Sequence, residues 1–318
     1  MAEKKRFFYG WLILLTCILI MGLGYAPLVS CASLFTKPVT EDLGFTRSGY
    51  ALVSTIAALM MAFMSPFIGK IMSKPYMHKA LVVCMIGNCL AYYCYSFAST
   101  LPQFYVTAAC IGFFECGSTM IPVSVLITNW FRKKRGLVMS IAMVGSSIGG
   151  TILSPIIGNL IASQGWRFTY KAVGITRLVI LVPLVLLVVR RTPADMGNKA
   201  YGADEEGETG KARKTEREWN VSLKEVKKKP MFWCFVLGCT LISATAAVIT
   251  QIPASVMDAG YATTTAASIA SLYLFIAIPG KLVLGHIYDR YGVKAGILFG
   301  NTMFFLSVVC LIFIKHQP

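Results

Sequence analysis

Charge is what this sequence has least of. Only 14% of its 318 residues are Asp, Glu, Lys or Arg, where an average soluble domain carries about 25%. Acidic residues are scarcer still, 14 against 30 lysines and arginines, and there are three histidines. The deficit comes from long runs such as Trp11 to Phe35 and Val179 to Val189, which contain no charged side chain. Roughly 20 such residues at 1.5 Å rise cross a ~30 Å hydrocarbon core. A soluble domain is therefore excluded. The ten cysteines are scattered through the apolar runs with no C-x-x-C pair, and His78, His286 and His316 form no ligand cluster. Buried cysteines of this kind are small inert hydrophobes. H-E-x-x-H, a nucleophile–base pair and a Gly-rich phosphate loop are also missing. The sequence thus gives no ground for an enzyme, a cofactor or a metal.

What is present is hydrophobicity in nine pieces. Apolar runs cover roughly 10–35, 46–69, 80–99, 103–129, 136–162, 168–189, 231–256, 263–287 and 294–314, each long enough for a membrane span. The net charge of +16 would point to nucleic acid in a soluble protein, but here the cations follow topology. Lys4, Lys5 and Arg6, then Lys70, Lys74 and Lys79, then Arg132 to Arg135, the 190–229 segment, Arg290 and Lys294 all fall on alternating connections. The positive-inside rule places these, and the N-terminus, in the cytoplasm, and no nucleic-acid partner is needed. A cleaved leader is the alternative for the N-terminus, with Leu28-Val29-Ser30-Cys31 resembling a lipoprotein cleavage site. Its apolar core is longer than the usual leader core, and another span follows closely, so an uncleaved first helix is expected.

The stretch 190–230 is rich in both signs of charge and in glycine, and reads as a cytoplasmic linker. It divides the chain into a six-helix unit, 1–189, and a three-helix unit, 231–318. A repeat lies across it: aligning Gly69 with Gly285, 216 residues on, superposes Ile71 on Ile287, Ser73 on Asp289 and Lys74 on Arg290. Both segments follow the second span of their half, as in transporters built from two parallel homologous bundles.

These residues resemble a family. Gly285, Asp289, Arg290, Gly292 and Lys294 match G-x-x-x-D-R-x-G-x-[RK], the loop motif of the major facilitator superfamily. Trp130-Phe131-Arg132-Lys133-Lys134-Arg135-Gly136 is similar to a signature of its oxalate:formate antiporter and monocarboxylate transporter branch. Gly150 to Pro155 with Gly158, Gly165-Trp166-Arg167, Phe8 to Trp11 and Leu43 to Ser48 continue the pattern. The resemblance implies an all-α integral membrane protein of major facilitator type, six helices plus an incomplete second bundle. It also implies a multi-pass monomer in the plasma membrane that exchanges or co-transports small organic anions across the lipid bilayer. The family has twelve helices, and the repeat period calls for about ninety further residues, so a truncated transporter is expected. A transport-inactive or regulatory fragment is the alternative. The first-half loop also departs from the motif, with Ser73 and Tyr76 where Asp and Gly are expected.

Ionisable residues within spans are costly and mark partners or pathways. The family places a substrate-binding arginine where Lys281 stands, so the resemblance makes Lys281 the candidate for a substrate carboxylate; a lysine keeps the charge but loses the bidentate fork. A lysine snorkelling to the headgroups is the competing reading. Glu115 and Arg177 lie at similar depth in the fourth and sixth spans, which predicts a pair between them. That pair either closes the bundle or leaves Glu115 facing the cavity as carrier of the coupled proton. Tyr25, Tyr273, Thr245 and Gln251 are candidate cavity walls, with ordinary packing as the alternative. The family's loop carboxylates dock on helix ends of the opposite bundle. Asp289, with Arg290, Gly285 and Gly69 in the two loops, is therefore expected against the start of the fifth helix around Arg135 and Gly136, where the helix dipole and a cation favour an anion.

Overall fold

The computed structural model describes residues 8–197, 200–202, 223–238, 240 and 251–314. Thr245, one of the candidate wall residues, lies outside them. Helix α1 runs over Gly10–Leu43, α2 over Arg47–Met72, α3 over Met77–Phe97 and α4 over Leu101–Trp130. The next helical stretch, Arg135–Val188, carries a non-helical Gly165 at φ 79°. Glycine alone enters that left-handed region without a Cβ penalty. It separates α5 (135–164) from α6 (166–188). Both arms return to one end of the molecule, because Trp130 Nε1 donates to the Arg190 carbonyl at 2.9 Å and Asn129 Nδ2 to that of Arg191 at 3.1 Å. Helix α7 is described over Ile252–Asp258. Gly292, at φ 83°, divides Thr263–Ile314 in the same way into α8 (263–291) and α9 (293–314).

Local sequence sets these boundaries. The Thr46 side chain accepts from Gly49 N–H to cap α2, and Thr100 with Gln103 forms a reciprocal capping box on α4, each meeting orphan first-turn N–H groups. Pro155 and Pro279 sit inside helices whose non-helical dihedrals occur at Gly165 and Gly292. Several irregularities were not expected, among them an interruption of α1 at Ser30–Cys31 followed by a 3-10 turn over Ala32–Phe35. Residues Ile20–Tyr25 form a π turn within α1, and α4 breaks at Thr119, where φ is −124° and ψ is −94°.

The interior has two apolar clusters. One, around Met72, Trp130 and Leu181, lies at the end bearing Arg135, and the other, around Phe35, Phe104 and Tyr170, lies toward the opposite end. Large apolar side chains also cover the outside, among them Val106 at 66% and Leu187 at 72% exposure. That is the surface a helix presents to lipid, not to water.

Small residues let the helices touch backbone to backbone. A Cβ on Gly145 would stand 2.3 Å from the Ile18 carbonyl oxygen, and one on Gly149 would stand 2.2 Å from that of Gly22. Helices α1 and α5 therefore cross at a distance only glycine permits. The seam between α5 and α8 is similar and runs their whole length. Gly285 meets Ser140, Leu274 meets Gly150, and Ala267 meets Gly158. Ser271 Oγ donates to the Thr151 carbonyl at 2.6 Å.

Candidate functional site

Lys281 lies on this seam. Its ammonium donates to Ser146 Oγ at 2.8 Å and to the Met143 carbonyl at 3.0 Å, both on α5. The side chain is half-buried and points at helix α5. Among the described residues the ion pairs are Lys37–Glu41 and Arg47–Asp258, so no carboxylate stands within ion-pair distance of Lys281. On the residue after Ser146, the Ser147 hydroxyl is buried without a hydrogen-bond partner, and so is the Tyr273 hydroxyl on α8. Tyr273 precedes Lys281 by about 12 Å along the helix. Gln251 sits elsewhere: it is exposed at the N-terminal boundary of α7.

At the Arg135 end of the same seam, Asp289 accepts from the Gly136 N–H at 2.9 Å and the Leu137 N–H at 2.7 Å. These are first-turn N–H groups of α5, where an anion meets both free donors and the positive end of the helix dipole. Gly285 faces Gly136 across this contact, a Cβ on Gly285 falling 3.2 Å from the Gly136 carbonyl oxygen. Arg135 takes no part in an ion pair with Asp289; its Nε donates to the Phe131 carbonyl at 2.9 Å. Arg290 lies over the Tyr291 ring at 5.5 Å. Gly69 has open space where a Cβ would stand, and the Ser73 carbonyl beyond it accepts from Arg191 Nη2 at 2.8 Å. The Trp130-Phe131 pair is fully buried and holds the returning chain, Tyr201 N–H donating to the Trp130 carbonyl at 2.9 Å.

The opposite end carries contacts that the sequence did not single out. Arg47 at the start of α2 pairs with Asp258 at the end of α7. Lys37 Nζ donates to the Met257 carbonyl at 2.8 Å. Trp166 Nε1 donates to Asp42 at 3.0 Å, and Arg167 to the carbonyls of Ser96 and Ala98 at 3.2 Å. The Gly165-Trp166-Arg167 motif thus clips the turn between α5 and α6 to α1 and α3.

The third cluster is buried inside the first six helices. Glu115 and Arg177 do not meet directly. Asn88 of α3 stands between them, its Nδ2 donating to Glu115 Oε2 at 2.8 Å and its Oδ1 accepting from Arg177 Nη2. The expected pair is therefore a relay, because α3 supplies an amide able to accept from one charge and donate to the other. Arg177 Nη2 also donates to the Gly24 carbonyl at 2.9 Å, in the π turn beside Tyr25, and the guanidinium lies 4.9 Å from the Tyr92 ring. Arg177 is 1% exposed, with Nε and Nη1 lacking hydrogen-bond partners. Tyr25 belongs with this cluster, near Glu115, and Lys281 does not. A single polar residue in an apolar span, as Asn88 is, was the signal that sequence reading passed over.

Comparison with known proteins follows the same lines. The family model described as Major Facilitator Superfamily matches residues 12–318. The MFS-type transporter pytF of Aspergillus terreus is 26% identical over 209 residues, 65% of this chain and 62% of that protein. Monocarboxylate transporter 2 of Homo sapiens is 24% identical over 229 residues, 71% of this chain and 45% of the relative. Monocarboxylate transporter 4 of Gallus gallus is 26% identical over 170 residues, 52% and 35% of the two chains. The matched part thus spans 62% or less of each of these relatives' own length. Among solved structures, a bacterial homologue of the human lysosomal transporter Spinster, in its inward-facing and unoccupied conformation, has a similar fold. The TM-score is 0.69 at 17% identity, over 91% of this chain and 64% of that one.

Proposed function

Because the chain belongs to the major facilitator superfamily, we propose that it is a secondary transporter, by antiport or proton symport, of small organic anions such as monocarboxylates, oxalate or formate. It works by alternating access, and the unit 1–189 and the helices of 231–318 rock about the α5–α8 seam. The N-terminus and the 190–230 linker face the cytoplasm of a plasma-membrane monomer. The observation that supports this reading best is Lys281. A cation at membrane depth with only a hydroxyl and a carbonyl for partners is under-compensated, and such a charge is costly. A substrate carboxylate removes that cost and adds a charge-assisted hydrogen bond. Ser147 offers a hydroxyl on the residue after Ser146 and Tyr273 another about 12 Å along α8, while Gln251, at the N-terminal boundary of α7, is a wall residue only if α7 shifts.

Ligand-induced stabilisation tests the binding half of this claim. Thermal unfolding of the detergent-purified chain is followed with formate, oxalate, lactate and an uncharged amide control. A ligand at a hundred times its dissociation constant stabilises by about 2.7 kcal/mol. At least one anion raises the midpoint, and the rise vanishes in Lys281→Met. No anion doing so, or an undiminished rise in Lys281→Met, contradicts the assignment.

A further inference from the structure

Glu115 is surrounded by neutral donors. Asn88 Nδ2 serves Oε2 at 2.8 Å, and Thr119 Oγ1 stands 3.0 Å from Oε1. The same Thr119 hydroxyl is 3.1 Å from the backbone carbonyl oxygen of Glu115. A hydroxyl has one proton and two lone pairs, so it donates to one of these oxygens at a time. With Glu115 ionised, the hydroxyl donates to Oε1, and the backbone carbonyl keeps the Thr119 N–H at 3.2 Å. With a proton on Oε1, that proton is donated to Thr119 Oγ1, and the hydroxyl turns its own hydrogen to the backbone carbonyl. Asn88 continues to donate to Oε2 in either case. Both charge states of the carboxyl are therefore hydrogen-bonded without any heavy atom moving. A carboxylate that only closed the bundle would need one state satisfied, not two.

We propose that Glu115 is a reversible proton-binding site and that Thr119 is the positioning residue whose rotating hydroxyl keeps both of its forms hydrogen-bonded. The break of α4 at Thr119 sets the side chain between the carboxyl and the carbonyl of the same residue. The titratable and charged groups facing Glu115 are Arg177 from α6, Tyr25 from α1, Cys89 from α3 and Cys116 from α4 itself. Uptake transfers one proton from hydronium to Oε1, leaving water, and release reverses the transfer, with no other covalent bond made or broken. Arg177, held one residue away by Asn88 Oδ1, feels the change in charge. It passes the change to the Gly24 carbonyl and the π turn of α1. The inference rests on the transport reading only for what the proton drives; its occupancy stands apart from flux.

The test is infrared difference spectroscopy of the full chain in liposomes, without substrate, over a pH titration in H2O and D2O. A carboxylic C=O band that titrates reversibly and is lost in Glu115→Gln is the expected result. Thr119→Ser keeps the hydroxyl and leaves proton affinity within about twofold. Thr119→Val removes a bond to the ionised form that is stronger than its neutral counterpart, changing proton affinity about tenfold. Thr119→Cys, a weaker donor, gives an intermediate value and serves if the valine variant does not fold. Absence of a Glu115-dependent titrating band overturns the proposal, as does a valine or cysteine variant indistinguishable from wild type. Failure of anion uptake in a separate assay overturns the transport reading instead, because this titration is read without substrate.

Discussion

Lys281 on α8 and Ser146 on α5 are joined by a 2.8 Å hydrogen bond across the α5–α8 seam. The cation that the sequence marks for substrate is thus tied, in this conformation, to the opposite half of the chain. The ammonium has three N–H donors and two are engaged here, so on the proposed reading a carboxylate arriving at Lys281 draws it toward the substrate and weakens its hold on Ser146.

It follows that Ser146→Ala weakens the empty state more than the loaded one. Losing one such hydrogen bond costs about 1 kcal/mol. Thermal unfolding of the variant should show a lower midpoint without ligand and an equal or tighter apparent dissociation constant for the stabilising anion.

The Asp289 contact with the start of α5 is a latch of main-chain donors. Asp289→Asn loses the charge and with it about 1 kcal/mol of helix-end attraction. Gly136→Ala places a Cβ 2.6 Å from Asp289 Oδ1 and forces the loop away. Labelling of a cysteine placed at Ser140 by a water-soluble thiol reagent should speed up in both variants, more in the second.

Arg47 and Asp258 close the other end, and the pair is partly exposed, at 54% and 32%. Its contribution to stability is accordingly small, about 0–1 kcal/mol, yet on the proposed reading it joins elements that alternating access parts. Arg47→Glu and Asp258→Arg singly should raise labelling at the Lys37 end of α1, and the double reversal should restore protection. Failure of the double variant to restore it would remove this pair from the account.

Arg177 carries more stability. It is fully buried and linked to Asn88 and the Gly24 carbonyl. Arg177→Met strands Glu115 in an apolar interior, and breaking a buried charged network costs roughly 3–5 kcal/mol. Adding Glu115→Gln should recover part of that loss in the same unfolding measurement.

The fold was legible because lipid imposes a simple code: charge-free runs of span length, separated by basic connections. The runs coincide with the observed helices to within a few residues wherever the chain is described, except that α1 continues eight residues past Phe35 to Leu43. The close approach of α5 to its neighbours traces to the small residues Gly145, Ser146, Ser147, Gly149 and Gly150, since small side chains permit such contact. The π turn of α1 and the break in α4 were not read, although Gly22, Gly24 and Pro27 mark the first and Pro122, which lacks an N–H and crowds the preceding turn, follows the second by three residues. The Asn88 relay escaped for another reason: depth along a helix was inferred from residue counts, but which face α3 turns inward depends on packing. Asp289 lies at the start of α5 as expected from the helix dipole and Arg135, but the free N–H groups of Gly136 and Leu137 supply the bonds and Arg135 does not.

The most direct test of the central claim is counterflow in proteoliposomes containing this chain. Labelled formate, oxalate or lactate is offered outside against the unlabelled anion inside. The account predicts saturable exchange of at least one of them, lost in Lys281→Met and partly kept in Lys281→Arg. Exchange that persists unchanged in Lys281→Met, or no saturable exchange of any organic anion by the wild-type chain, would contradict it.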